Sequence, residues 1–128
     1  MLTRRGFVGC ALCALAGFEA AGAEAQALTR TVLSRTDGPA QGYETIEAKV
    51  EIPAGSPIAR HKHYGIETSY IMSGVVELDV EGVGIKTYHA GDGFQVPPET
   101  PHGGKCVEAA SLIGVYVVEK GKPLAVPV

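Results

Sequence analysis

Four residues in this sequence have the types and spacing for metal chemistry. His61 and His63 sit two apart, and Glu67 follows four residues after His63. Pro53, Gly55 and Pro57 lie just ahead and break any helix there, so a strand or loop is the expected setting. Side chains on a strand alternate with period two. His61 and His63 then share one face, while Arg60 and Lys62 point to the other. Imidazole and carboxylate together suit a divalent ion such as Mn, Fe, Ni or Zn. A third imidazole, His102, follows the rigid stretch Pro97-Pro98-Glu99-Thr100-Pro101. Taken alone, a His-x-His pair on a strand is more often a polar surface pair, and that reading stands beside the metal-binding one.

The elements that must position these groups read as short strands. Leu28 to Arg35 is an expected first strand with Val32 and Leu33 as its apolar content, and Asp37-Gly38-Pro39 is a turn. Ile46, Ala48, Val50 and Ile52 alternate with Thr45, Glu47, Lys49 and Glu51, the clearest period-two pattern in the chain. A short strand Ala59–His63 carries the histidine pair, and Glu67 opens a strand to Met72 with Glu67, Ser69 and Ile71 on one face. Ser73-Gly74 is expected to turn the chain into a second half-buried strand, Val76 to Val80. Gly82-Val83-Gly84 is a hairpin connection to a strand over Ile85–Tyr88, and Phe94-Gln95-Val96 leads into the proline loop. His102 begins the next strand, and Ser111 to Val118 reads as an apolar strand buried on both faces. Beyond the first 27 residues no segment has the caps and period of a helix. The expected fold is all-β, a sandwich or a small barrel.

Composition sets the bounds. The 128 residues suffice for one domain, and 45% hydrophobic with 20% charged residues reads as globular. The 17 glycines and 8 prolines agree with many turns. Net charge is −3 with no basic stripe beyond the first residues, which argues against nucleic acid as a partner. Met1-Leu2-Thr3-Arg4-Arg5 is basic, and Phe7 to Phe18 is apolar but shorter than the roughly 20 residues that span a membrane. This reads as an export signal with cleavage after Ala23 or Ala27, leaving residues 28–128 as the domain. Thr3-Arg4-Arg5-Gly6-Phe7-Val8 resembles a twin-arginine signal, departing from it at Val8 and Gly9, so a Sec-type route stays open. Because the apolar run follows Cys10, a lipid anchor at that residue is not expected. The expected location is periplasmic or secreted. Of three cysteines only Cys106 lies beyond the signal, so the mature chain has no internal disulfide.

Gly55, His61, His63, Glu67 and Gly74 match every fixed position of the first cupin motif, Gly-x5-His-x-His-x3–4-Glu-x6-Gly. Gly91, Pro97 and His102 match the second motif, in which Glu99 stands where Gly is usual and Cys106 where Asn is usual. The sequence thus resembles the cupin superfamily, small single-domain members in particular. That resemblance implies an antiparallel, jelly-roll-like β-barrel with one divalent metal held by His61, His63, Glu67 and His102. Two positions would stay open for water, substrate or dioxygen. The implied chemistry is oxygen-dependent cleavage, decarboxylation or isomerisation of a small enol, diketone, carboxylate or phenol, with a non-enzymatic ligand- or metal-binding module as the alternative. A homodimer is implied as well. The expected pocket walls are apolar, built from Ala59, Ile71, Phe94, Val96 and Ile113. Mn or Fe is favoured if the protein folds before export, with Zn, Ni or Cu open otherwise, because an N/O site takes the metal its compartment offers. Cys106 shares strand parity with His102. It reads as a small buried hydrophobe or, more sharply, as a thiol beside the metal. His89 is expected in solvent, and Tyr64, Tyr70 and Tyr88 as packing or rim residues.

Overall fold

A computed structural model describes residues 27–128; the expected signal segment, its arginine pair and a cleavage point after Ala23 lie outside them. The described residues are all-β with no helix. Eight strands follow in order: β1 (Thr29–Asp37), β2 (Tyr43–Ile52), β3 (Pro57–Lys62), β4 (Gly65–Val80), β5 (Gly84–His89), β6 (Gly93–Val96), β7 (His102–Glu119) and β8 (Val126–Pro127). All pairings are antiparallel.

The two long strands β4 and β7 form the spine. They pair along nearly their whole length, from Gly65↔Val118 to Val80↔His102. At one end the ribbon is flanked by β2 on β7 and by β6 on β4. At the other end β3 lies on β7 and β5 on β4. β1 continues one edge beyond β2, and β8 continues the other beyond β3. Register irregularities between Ile71 and Val76 mark where the ribbon bends. Val50 and Ile52 of β2 then pack with Ile58 of β3, Ile71 and Val76 of β4, and Cys106, Ala110 and Leu112 of β7. This cluster joins both ends of the ribbon in one core. Each such aliphatic side chain contributes about 1.5–3 kcal/mol when fully buried.

Period two decides which side chains enter that core. In β2, Ile46, Ala48, Val50 and Ile52 are buried, as their alternation requires. In β4, Glu67, Ser69 and Ile71 share the buried face. Two expectations need correction. Ser73-Gly74 does not end a strand: β4 runs through it, and Gly74 takes a positive φ of 85° where the strand bends. A Cβ at Gly74 would lie 2.2 Å from the Ala109 carbonyl oxygen, so only glycine lets β4 and β7 stay in contact there. The segment Ser111–Val118 is not buried on both faces. Leu112, Gly114, Tyr116 and Val118 are buried, and the residues between them are half-covered. Val32 and Leu33, the apolar content of β1, are 48% and 52% exposed, since β1 is the edge strand among the described residues.

Candidate metal centre

His61 and His102 are direct cross-strand partners on β3 and β7. Glu67 is a direct cross-strand partner of Tyr116 on β4 and β7, towards the opposite end of the ribbon. Bending the ribbon brings these two pairs face to face. His63 lies between them, just after β3 and before β4. The ligand atoms of His61, His63, Glu67 and His102 all fall within 4.8 Å of one another. Their side chains are buried, His63 and His102 almost completely.

Hydrogen bonding sets the ring orientations. Nδ1 of His61 donates to the Ala59 carbonyl at 2.8 Å, and Nδ1 of His102 to the Thr100 carbonyl at 2.9 Å. Nδ1 of His63 donates to the Leu124 carbonyl, in the segment that leads to β8. With Nδ1 committed to a carbonyl, each ring turns Nε2 into the site, where it donates to a carboxylate when it carries a proton or offers a lone pair to an ion when it does not. His63 Nε2 lies 2.9 Å and His102 Nε2 3.2 Å from Glu67 Oε2. The other carboxylate oxygen, Oε1, accepts a 2.7 Å bond from the buried Ser69 hydroxyl. Three imidazole nitrogens and a carboxylate thus converge in a buried space. Such a set is stable only with a proton or a cation among them.

The electrostatics favour a cation. Burial, with only partial opposition from the Ala59 carbonyl, lowers the His61 pKa to about 4, so this ring stays neutral at ordinary pH. Burial pushes the Glu67 carboxyl up, but His102, His63 and Ser69 outweigh it and hold the carboxyl well below its usual range. The donor set fits a divalent ion: three imidazoles and one carboxylate, each imidazole oriented through its second nitrogen. The cluster fits the metal site of a cupin.

A cavity of about 30 Å³ adjoins the cluster. Its volume suits one or two waters and no large ligand. Phe94 lines it. The other expected wall residues are placed differently. Ile71 and Val96 are buried in hydrophobic clusters outside the lining. Ala59 is exposed and lines an outer groove, since it has the opposite strand parity to Ile58. Ile113 sits on the half-covered face of β7, opposite to Leu112. Cys106 does face the interior, but its Sγ contacts the carbonyls of Glu108, at 2.8 Å, and Ile52, at 3.4 Å, within the apolar core. Burial raises its thiol pKa, which suits a packing residue and not a reactive thiolate. His89 is exposed beside Asp92, and Tyr64 and Tyr88 are half-buried.

Two residues of the site carry no signal in the sequence. Tyr116 is buried against the edge of His63, with ring centroids 5.0 Å apart. Burial and then the Glu67 charge push its pKa up to about 12, so it remains a phenol. Arg30 of β1 places Nη2 3.4 Å from His61 Nε2 and also lines the cavity. Nothing around Arg30 in sequence marks it; only the pairing Arg30↔Val50 with β2 carries it over the site.

Comparison with known proteins supports this picture. A model of the cupin domain matches residues 48–119. No curated protein matches. Among solved structures, a double-stranded β-helix protein from Klebsiella pneumoniae is 21% identical, with TM-score 0.63 over 77% of this chain and 84% of that one. An RmlC-like cupin from Shewanella frigidimarina is 26% identical, with TM-score 0.55 over 66% of this chain and 84% of that one. The DMSP lyase DddQ from Ruegeria pomeroyi is 23% identical, with TM-score 0.64 over 78% of this chain but only 51% of that one. The cupin-domain match spans more than half of the chain and contains all four clustered residues, so the protein belongs to the cupin family.

Proposed function

We propose that this cupin is an exported metal-dependent enzyme acting on a small organic substrate through an ionisable oxygen. The observation that carries the reading is the convergence of three Nε2 atoms around the Glu67 carboxylate, with each Nδ1 tied to a backbone carbonyl. His61, His63, Glu67 and His102 would hold the ion. Bound there, a divalent metal supplies Lewis acidity to a substrate oxygen. Four protein ligands leave part of an octahedral shell open, which a purely structural site would not need.

The chain's own groups do the rest. Ser69 orients the carboxylate, and the backbone carbonyls of Ala59, Thr100 and Leu124 orient the rings. Tyr116 keeps its proton and can donate to an oxygen in the cavity. The apolar walls, including Val50, Leu78, Phe94 and Leu112, exclude bulk water. Enol, diketone, carboxylate and phenol substrates all present the required oxygen, in oxygenase, decarboxylase or isomerase chemistry. The structural likeness to DddQ, described as a lyase, adds an elimination reaction to those to be assayed. The second reading, a non-enzymatic module that captures a small ligand, draws on the cavity volume of about 30 Å³, which leaves little space for turnover of a large molecule.

The test is elemental analysis of protein recovered from its native compartment, followed by oxygen uptake and product assays of the metal-loaded chain across these substrate classes. About one divalent ion per chain with metal-dependent turnover supports the enzyme. One ion per chain with no turnover on any class supports the binding module. No ion would overturn both metal readings.

A further inference from the structure

We infer that Arg30 is the anion-recognition residue of this site and that its ligand is a small organic carboxylate, an inference that rests on the metal-site reading above. Arg30 sits on the edge strand β1, in register with Val50 of β2. Leu28 and Arg30 are the half-buried positions of this segment, and the strand beyond Arg30 is exposed. The guanidinium is thus turned inward while its neighbours face water. Within the site Nη2 approaches His61 Nε2 at 3.4 Å, and Nε is buried with no hydrogen-bond partner. Among the described residues no carboxylate forms an ion pair with Arg30, although Arg35, Arg60, Lys49, Lys62 and Lys105 all have one.

Two physical arguments turn this into a ligand preference. The first is competition for a lone pair. The Nε2 lone pair that Arg30 faces is the one His61 would give to an ion. With that lone pair engaged, Arg30 keeps the Tyr116 hydroxyl as a partner, while its buried Nε still has none and Nη2 has lost its contact with His61. The second is charge. A divalent ion with one carboxylate leaves a net positive site, and an arginine beside it adds a further positive charge. Buried like charges are stabilised only by an anion between them. A carboxylate matches the arginine fork through two parallel N–H···O bonds.

The access route agrees. Arg30 and His61 line both the inner cavity of about 30 Å³ and an outer groove of about 220 Å³. The groove is otherwise walled by Leu28, Ala59, Arg60, Ala125 and Pro127. Arg30 therefore stands where the groove meets the cavity. A carboxylate reaching the inner space passes it, and the body of a somewhat larger molecule can remain in the groove.

The test compares glycolate with its uncharged amide, glycolamide, by calorimetry. The full domain is used, metal-free and loaded with Mn, as wild type, Arg30→Gln and Arg30→Lys, with metal content measured on each sample. Wild type is expected to bind glycolate at least about tenfold more tightly than glycolamide, the scale of one charge-assisted hydrogen-bonded pair. Arg30→Gln is expected to lose that preference with its metal content unchanged, and Arg30→Lys to keep part of it. An unchanged preference in Arg30→Gln overturns the role of Arg30, because the metal alone would then hold the anion. If wild type takes up no Mn, the metal-site reading fails separately, and the metal-free pair of titrations still decides whether Arg30 selects the anion. Should Arg30→Gln fold poorly, the wild-type and Arg30→Lys ratios decide: no preference in wild type, or the same ratio in both, overturns the proposal.

Discussion

Replacing Glu67 by Gln keeps the shape of the side chain and removes its charge. The Ser69 hydroxyl can still reach an amide oxygen, but the three imidazoles lose their counter-charge. Glu67→Gln is therefore expected to fold and to hold less than about a tenth of the parent's metal, read by elemental analysis. Ser69→Ala is a finer probe, because the Ser69 hydroxyl donates to the carboxylate and is not itself a ligand. Loss of such a supporting bond is expected to weaken metal binding by about 10- to 100-fold in a chelator competition. The pH response of the metal-free chain follows from His61. Its folded pKa of about 4 lies below the ordinary 6.5, so the unfolded chain binds a proton that the folded one refuses. Stability is thus full above about 6.5 and is lost as pH falls towards about 4. Denaturation midpoints should show this slope, and His61→Asn should flatten it.

At the scale of elements, the site depends on the bend in the β4–β7 ribbon. Gly74 permits that bend with its positive φ and its close approach to Ala109. Gly74→Ala is expected to cost about 2–4 kcal/mol, measured by chemical denaturation, because both the backbone and the strand pairing resist a Cβ. Cys106 lies on the same ribbon but inside the apolar cluster. Cys106→Ala should leave metal content unchanged and cost about 1 kcal/mol, the scale of a small packing defect. A loss of metal in that variant would return the thiol to the site. At the edge of the sheet, β1 pairs among the described residues with β2 alone and exposes Val32 and Leu33. An uncovered edge of this kind favours pairing with a second copy. A dimer mass by light scattering is the expected outcome, with Val32→Lys plus Leu33→Lys giving a monomer.

For the whole molecule, we propose that the compartment in which the chain folds selects the metal. A chain that folds before crossing a membrane loads where free Cu and Zn are scarce, so Mn or Fe is the expected ion; a chain exported unfolded meets Zn or Cu instead. Changing Arg4 and Arg5 to Lys should leave the protein in the cytoplasm if the arginine pair directs export. Fusing the domain to a Sec signal should then change the bound metal. The same metal by both routes would show that affinity, and not compartment, selects it.

The ligand set and the strand alternation were legible in the sequence because both are local. His61 and His63 share a face by period two, Ile46 to Ile52 alternate in the same way, and motif spacing ties Glu67 and His102 to them. The turn expected at Gly74 shows the limit: a glycine that bends a strand and one that ends it look alike until the partner strand is in place. The wall residues show it too. Ala59 is apolar and two residues from His61, and Ile113 lies on the same strand as His102, yet strand parity turns both away from the cavity. Arg30 and Tyr116 reach the site only through long-range pairing, with β2 in one case and β4 in the other. The residue types determined that a metal could be held; cross-strand register, set by chain segments distant in sequence, decided what surrounds it.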